Sequence, residues 1–511
     1  MTRDKTGVIS ASGFTSFETL EQRGRKIAAG LENMGVGPGT CVALLMRNDT
    51  PFLEISYAVM RLGAYAVPLN WHFKAEEIAY ILADCDAKAL FAHDDLLAAA
   101  AGVLPAGLPV FTVTTPPSLM RAHGTVEPTP PVIDAIAYEP WRDGLEEHAG
   151  PIRPAPMSMI YTSGTTGVPK GVRRSAQTAE ETAVLDGLRS TVYGLKPGAR
   201  TLLPGPLYHS APNSFGLKAG KVCDLLVLMD RFDAEELLRV IEREAIDTVF
   251  MVPTMFVRLL KLPPEVRARY DVSSLRHVVH AAAPCPADVK SAMLEWWGPV
   301  IYEFYGGTET GPVSFATPQD ALYKPGTVGR ASPGSQIHVL AEDGTILPEG
   351  AVGEIFSRIE GYPDFTYNKR EAMRDEVEQD GFITCGDMGY LDAEGYLFIC
   401  DRRRDMVISG GVNIYPAEIE GVLQAMAGVH DCAVFGIPDA EFGEALMAVV
   451  EPTDGVDLSP EGVRSHLATS LANYKVPKAV EIRRGLPRED SGKIFKRRLR
   501  DPYWVGVGRK I

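Results

Sequence analysis

Ile160-Tyr-Thr-Ser-Gly-Thr-Thr-Gly-Val-Pro-Lys-Gly-Val172 is the stretch on which the reading of this chain turns. An apolar entry leads into glycines, hydroxyls and one lysine, and an apolar exit follows. Such a mix suits a polyphosphate. Glycines let backbone N–H groups approach anionic oxygens, hydroxyls donate further bonds, and a lysine neutralises charge. The candidate nucleotide contacts are therefore Thr162, Ser163, Gly164, Thr165, Thr166, Gly167 and Lys170. The segment is not the GxxxxGK[ST] loop: Gly164 and Lys170 are six apart as in that loop, but Pro169 stands where its second glycine would precede the lysine, and Gly171 follows where Ser or Thr is required.

Outward from this segment, strand-like and helix-like patterns alternate. Cys41-Val-Ala-Leu-Leu-Met46 is a short apolar run, and Phe52 to Leu62 has a helical period. Ala89-Leu-Phe91 suggests a buried strand. Asp233 to Ala245 predicts an amphipathic helix, followed by the apolar strand Thr248-Val-Phe-Met-Val252. This alternation implies an α/β fold with mostly parallel strands. The Pro-rich stretch from Pro128 to Pro156 reads as a connector between subdomains. After Asp401 the character changes: Arg402-Arg-Arg-Asp405 precedes Gly410-Gly411, and Pro416 suits the first turn of a helix.

The 511 residues allow several domains or one multi-lobed fold. A hydrophobic fraction of 45% supplies a core, which excludes wholesale disorder. The net charge of −15 argues against nucleic-acid and anionic-membrane partners, which need a basic surface. The seven cysteines show no CxxC spacing, so neither a disulfide scaffold nor a zinc site is expected. Met1 to Thr15 lacks the apolar core of a secretory signal, and no apolar run approaches the ~18–20 residues of a membrane helix. A cytoplasmic enzyme with no integral membrane association is the expectation. From Tyr474 onward, twelve Lys and Arg face four Asp and Glu. Two readings of this basic segment stand side by side: a solvated surface, or a mobile cap that meets a polyphosphate.

The 161–171 segment resembles the signature of the adenylate-forming superfamily, which comprises acyl-CoA synthetases, peptide-synthetase adenylation domains and beetle luciferases. Further matching motifs follow in family order: Arg61-Leu-Gly-Ala-Tyr-Ala-Val-Pro-Leu-Asn70, Tyr305-Gly-Gly-Thr-Glu309, Gly386-Asp387, Asp401-Arg402 and Ser491-Gly-Lys493. Their style is closest to fatty-acid and bile-acid CoA ligases. The resemblance implies a large N-terminal domain over 1–403 and a small mobile α+β lid over 404–511. It also implies ATP, Mg²⁺ and CoA, with a small carboxylic acid as partner and a homodimer as candidate assembly.

The roles the resemblance assigns have physical counterparts. Tyr305 offers an aromatic face to adenine, and Gly306 and Gly307 keep the loop slim beside the nucleotide. Thr308 donates to the α-phosphate, and Glu309 is a hard oxygen ligand for Mg²⁺. Asp387 accepts the ribose hydroxyls, with Arg402 alongside. Lys493 offsets the repulsion between an attacking carboxylate and a phosphate. Arg404 occupies the hinge position, where the family usually has Lys or Asp, and Cys385 stands where Thr is usual. Gly410 and Gly411 belong to the lid face used in the thiol step and leave room for pantetheine.

Ala281-Ala-Ala-Pro284 looks like the segment passing the adenine and acyl carbons, with Ala283 as a contact. His209 is either a gate between acyl and thiol channels or a structural histidine. Phe304 adds bulk where many relatives carry Gly. Met251, Val252, Thr254, Met255 and Phe256 are candidate acyl-pocket liners, although a run with two Met is more often core. An apolar pocket without a free cation favours monocarboxylic acids, medium-to-long aliphatic or aryl-alkyl, over dicarboxylates such as malonate. Two rivals remain: an adenylating enzyme with a non-CoA acceptor, and an inactive nucleotide-binding scaffold.

Overall fold

The computed structural model describes residues 5–98, 100–125, 133–163, 169–409, 412–439, 441–488 and 494–505. Its largest sheet has nine strands. From the inner edge outward they are Arg330–Ala331, Gly311–Ala316, Ile301–Gly307, His277–His280, Thr248–Met251, Arg200–Leu203, Leu225–Leu228, Gly7–Ser10 and Gly13–Ser16. The six strands from Ile301–Gly307 to Gly7–Ser10 run parallel, and antiparallel strands close each edge. A second sheet, entirely parallel, orders Tyr65–Pro68, Cys41–Leu45, Ala87–His93, Val110–Val113 and Ile136–Ala137.

These two sheets bury both faces, as parallel sheets do. Along Cys41–Leu45, Val42 and Leu44 join the core shared with the large sheet, while Cys41, Ala43 and Leu45 face the opposite core. The period of two thus turns a continuous apolar run into a two-sided one. The helices Phe17–Asn33 and Thr50–Arg61 fill the space between the sheets. On the far side of the large sheet lie the helices Ala234–Glu244, Pro253–Leu260 and Ala287–Trp297. Asp233 caps the first of these by accepting from the Glu236 N–H, as the sequence pattern predicts. Under Ile301–Gly307 a buried pair, Lys290 with Glu303, is inserted into this apolar layer. His280 Nδ1 lies 3.8 Å from Glu303.

The Pro128–Pro156 stretch is more than a connector. Its helix Tyr138–Asp143 carries a fully buried Tyr138, which donates to Glu54 at 2.5 Å. Pro140 sits in the first turn, where no N–H is required of it.

Three further sheets complete the chain among the described residues. A three-stranded one, Ile160–Ser163, Pro169–Arg174 and Phe365–Tyr367, is antiparallel. A five-stranded antiparallel sheet spans Ser335–Leu340, Gly353–Ile359, Glu378–Gln379, Phe382–Leu391 and Leu397–Arg402. The C-terminal sheet orders Val412–Ile414, Val407–Ser409, Gly443–Pro452 and Val429–Asp439, with Ala479–Ile482 beside Gly443–Pro452. Helices Pro416–Ala425 and Pro460–Ser470 pack on it, and Pro416 occupies the first helical turn as expected. No helix of the described residues is long and apolar enough to cross a membrane.

The described part of the basic segment finds acidic partners within the C-terminal domain. Lys475 pairs with Glu418 at 2.6 Å, Lys478 with Asp439 at 2.6 Å and Arg488 with Glu451 at 2.6 Å. Lys496 pairs with Glu420 at 2.8 Å and Arg500 with Asp405 at 3.7 Å. Much of its charge is answered inside the C-terminal domain.

Candidate active site

The described ends of the 160–172 motif form the hairpin Ile160–Ser163 and Pro169–Arg174, with Thr162 opposite Lys170. Residues Gly164, Thr165, Thr166 and Gly167 lie outside the described residues, as do Gly410, Gly411 and Lys493. Lys170 is buried, and its ammonium stands 5.1 Å from the Tyr367 ring centre. Burial pulls its pKa down, opposed by Glu376 and Glu309. Tyr367 in turn donates to Glu309 Oε1 at 3.1 Å. One aromatic residue thus joins the motif lysine to the proposed metal ligand. Tyr161 anchors the other arm through a 2.6 Å bond to Asp84, to which Asn368 also donates.

Thr308, Glu309 and Thr310 form the turn between the strands Ile301–Gly307 and Gly311–Ala316. The two glycines before it answer to neighbours already present. A Cβ on Gly306 would lie 1.8 Å from the Gly311 carbonyl oxygen, and one on Gly307 would lie 2.3 Å from Cys385 Sγ. Gly306 lets this hairpin close and Gly307 lets it pack against Cys385 of the strand Phe382–Leu391, beyond the clearance for nucleotide that the motif suggests. The turn is held by the Gly307 N–H, which donates to Thr310 Oγ1 at 2.9 Å.

Tyr305 donates to Asp387 Oδ2 at 2.8 Å, and Arg402 Nε stands 3.2 Å from Asp387 Oδ1. Asp387 and Arg402 are direct partners across the strands Phe382–Leu391 and Leu397–Arg402. Burial, reinforced by Asp387, pushes the Tyr305 hydroxyl well up, so it stays a donor. A carboxylate oxygen accepts two bonds, so each oxygen of Asp387 keeps capacity for one ribose hydroxyl. Cys385 lies against this group, its thiol pushed up by burial and therefore inert as a nucleophile.

The donor set suits Mg²⁺ shared with phosphates. That ion takes one or two protein carboxylates and fills its octahedron with phosphate oxygens and water. Glu309 is such a carboxylate, and no cluster of three or more His, Cys, Asp or Glu among the described residues could cage a metal alone.

His209 is joined to a different set of elements. It precedes the helix Ser210–Val222, and its ring centre is 4.4 Å from that of Tyr208. The backbone before it is held by Asn48, a residue the motifs do not reveal. Asn48 Nδ2 donates to the Gly205 carbonyl at 2.8 Å, and its Oδ1 accepts the Leu207 N–H at 2.8 Å. Ala283 lies in the loop after His277–His280, next to Ala282, whose φ of +74° is left-handed.

The acyl-side expectations need correction. Met251, Met255 and Phe256 are buried on the helix side of the large sheet with Leu237 and Trp297. Phe304 points to the opposite face, among Tyr193, Phe215 and Phe250. Residues on opposite faces of one sheet cannot line one pocket, so the two-methionine run is core. Val252, half-buried at the end of that run, packs against both layers. Arg404 occupies the turn between Leu397–Arg402 and Val407–Ser409.

The family model for AMP-binding enzymes matches residues 1–362, and that for the AMP-binding enzyme C-terminal domain matches 418–493. A feruloyl-CoA synthase from an Amycolatopsis species is 34% identical over 98% of this chain and 96% of its own. A fatty acid–[acyl-carrier-protein] ligase, ScoC of Streptomyces coeruleorubidus, is 31% identical over 97% and 93%. The ATP-bound structure of MatB from Rhodopseudomonas palustris superposes with a TM-score of 0.80 at 28% identity, covering 99% of this chain and 97% of that one. The chain therefore belongs to the AMP-binding enzyme family, among the adenylate-forming acyl-CoA ligases that work with ATP, Mg²⁺ and CoA.

Proposed function

We propose that the chain activates a monocarboxylic acid with an apolar body and transfers it to CoA, as a cytoplasmic enzyme whose candidate assembly is a homodimer. The acid's carboxylate attacks the α-phosphorus of ATP, a P–O bond forms, and pyrophosphate leaves. The CoA sulfur then attacks the acyl carbon, and AMP departs with the electrons of the broken C–O bond. In this reading Tyr305, Asp387 and Arg402 orient the nucleoside, and Thr162 to Lys170 and Thr308 hold phosphate oxygens. Lys493 neutralises charge while two anions are brought together. Mg²⁺, held by Glu309, supplies further neutralisation of the phosphate oxygens. Residues 404–511 form the lid, which turns about Arg404 between the two steps and brings Gly410 and Gly411 to the thiol.

The observation that carries this reading is the joining of three distant motifs into one bonded group, Tyr305 with Asp387 and Arg402. Its neighbour is the Lys170–Tyr367–Glu309 chain.

Two measurements test the proposal. Lys493→Ala should lower acid-dependent ATP–pyrophosphate exchange by orders of magnitude, yet leave thioester formation from supplied acyl-adenylate largely intact. Equal loss in both half-reactions would remove the role given to Lys493. The specificity constant for malonate should also fall well below that for an octanoate-sized acid. The apolar surroundings of Phe304 support this order, since burying a second carboxylate without a partner costs several kcal/mol. A win for malonate would sink the substrate reading and leave the ligase chemistry standing. Similarity to ScoC favours one alternative acceptor, a carrier-protein thiol. Supplying free CoA and a holo-carrier protein in parallel separates the two.

A further inference from the structure

Arg174 ends the strand Pro169–Arg174 and is 4% exposed. Among the described residues no carboxylate lies within ion-pairing distance of it. Its N–H groups go instead to backbone oxygens. Nη2 donates to the carbonyls of Thr308 at 2.9 Å and Glu309 at 2.6 Å, and Nη1 donates to Pro363. The guanidinium also lies over the rings of Tyr362, 4.9 Å away, and Phe365, 5.5 Å away. Burying an unpaired cation is costly, and an apolar side chain would fill the same space at less expense. The cation is thus retained for what it holds.

Two of its three acceptors are the carbonyls of the turn that carries Thr308 and Glu309. A trans peptide sets C=O and N–H on opposite sides. Fixing these two carbonyls toward Arg174 therefore aims the N–H groups of Glu309 and Thr310 away from it. The same side chain ties this turn to the strand bearing Lys170 and to the segment entering Phe365–Tyr367, whose Tyr367 bonds Glu309. We infer that Arg174 is a positioning residue for adenylation: it locks the Thr308–Glu309 turn to the phosphate-binding hairpin and so sets the orientation of the metal carboxylate. The inference rests on the reading of Glu309 as the Mg²⁺ ligand.

The test uses the full chain with Arg174→Leu, Arg174→Lys and Arg174→Gln. It follows acid-dependent ATP–pyrophosphate exchange against Mg²⁺ concentration, thioester formation from supplied acyl-adenylate, and thermal unfolding. Arg174→Leu should lower exchange and raise the half-saturating Mg²⁺, each by about 10–100-fold, as loss of a partner behind a metal ligand does. Thioester formation from supplied acyl-adenylate should fall far less, since Mg²⁺-dependent release of pyrophosphate belongs to the first step, whereas Thr308 meets the α-phosphate in both. Arg174→Lys should recover at most a small part, because one ammonium cannot span three carbonyls, and Arg174→Gln should recover none, because its amide ends about where Nε stands and falls short of the carbonyls held by Nη1 and Nη2. If Arg174→Leu does not fold, the Lys and Gln variants carry the same comparison. Unchanged exchange and Mg²⁺ dependence, or parallel loss of both half-reactions, overturns the proposal. Glu309→Gln is the reference: if it leaves Mg²⁺ dependence unchanged, the metal reading of Glu309 fails, and Arg174 is then judged on the exchange rate alone.

Discussion

Phe304 shows how one side chain sets both packing and preference. Its ring centre is 5.4 Å from that of Tyr193 and 6.3 Å from that of Phe250, so it fills space that a glycine would leave open. Phe304→Gly should shift acid preference toward bulkier substrates, measured as ratios of kcat/KM across an acid series. It should also destabilise the fold by roughly 3–5 kcal/mol, the range for emptying a buried Phe site. An unchanged ranking would take Phe304 out of the acyl wall. At this scale the sequence marks candidates where they stand contiguously, as in 160–172. Tyr367, Asn48 and Arg174 escaped it because their partners are remote in the chain: Glu309, Gly205 and the 308–309 carbonyls. Neither a period nor a motif encodes such pairs.

At the scale of the element, the strand His277–His280 carries a titration. His277 donates from Nε2 to the Val192 carbonyl at 2.9 Å and stacks on Tyr302, with ring centres 4.0 Å apart. Burial pulls its pKa down to about 4, below the usual value near 6.5. Between those values the unfolded chain binds a proton that the folded chain refuses. Stability is thus fully present above pH 6.5, falls on acidification through the window, and levels off below about pH 4. The loss attributable to this group is about 3 kcal/mol. His277→Phe keeps the ring and removes the titration, so urea unfolding at pH 7.5, 5.5 and 4.5 should show a flatter profile for the variant. Parallel profiles would refute the assignment. Elements themselves were well forecast: Asp233 heads its helix and Thr248–Met251 follows as a strand. The face of a strand was not, because an apolar run buried on both sides has no polar residue to mark its phase. The sequence alone therefore places Met251 beside Phe304 at the acyl pocket, whereas the sheet separates them.

For the molecule as a whole, stability should depend on the pair Lys290 and Glu303, sealed between the large sheet and the helix Ala287–Trp297. Removing one partner leaves a buried charge without compensation. Lys290→Met should then cost roughly 3–5 kcal/mol in denaturant unfolding. The double variant Lys290→Met with Glu303→Leu should recover most of that loss, since an apolar replacement of both partners is often neutral. A double variant as unstable as the single one would mean that the pair contributes more than mutual neutralisation.

The pairing of the basic segment with acids of the C-terminal domain also orders events in time. Arg488, Lys496 and Arg500 leave the ribosome after Asp405, Glu420 and Glu451, whose charges they answer. Domains fold as units as they emerge. The parallel sheets can therefore close while the C-terminal sheet still waits for its cations, whose ion pairs are complete only when synthesis has passed residue 500.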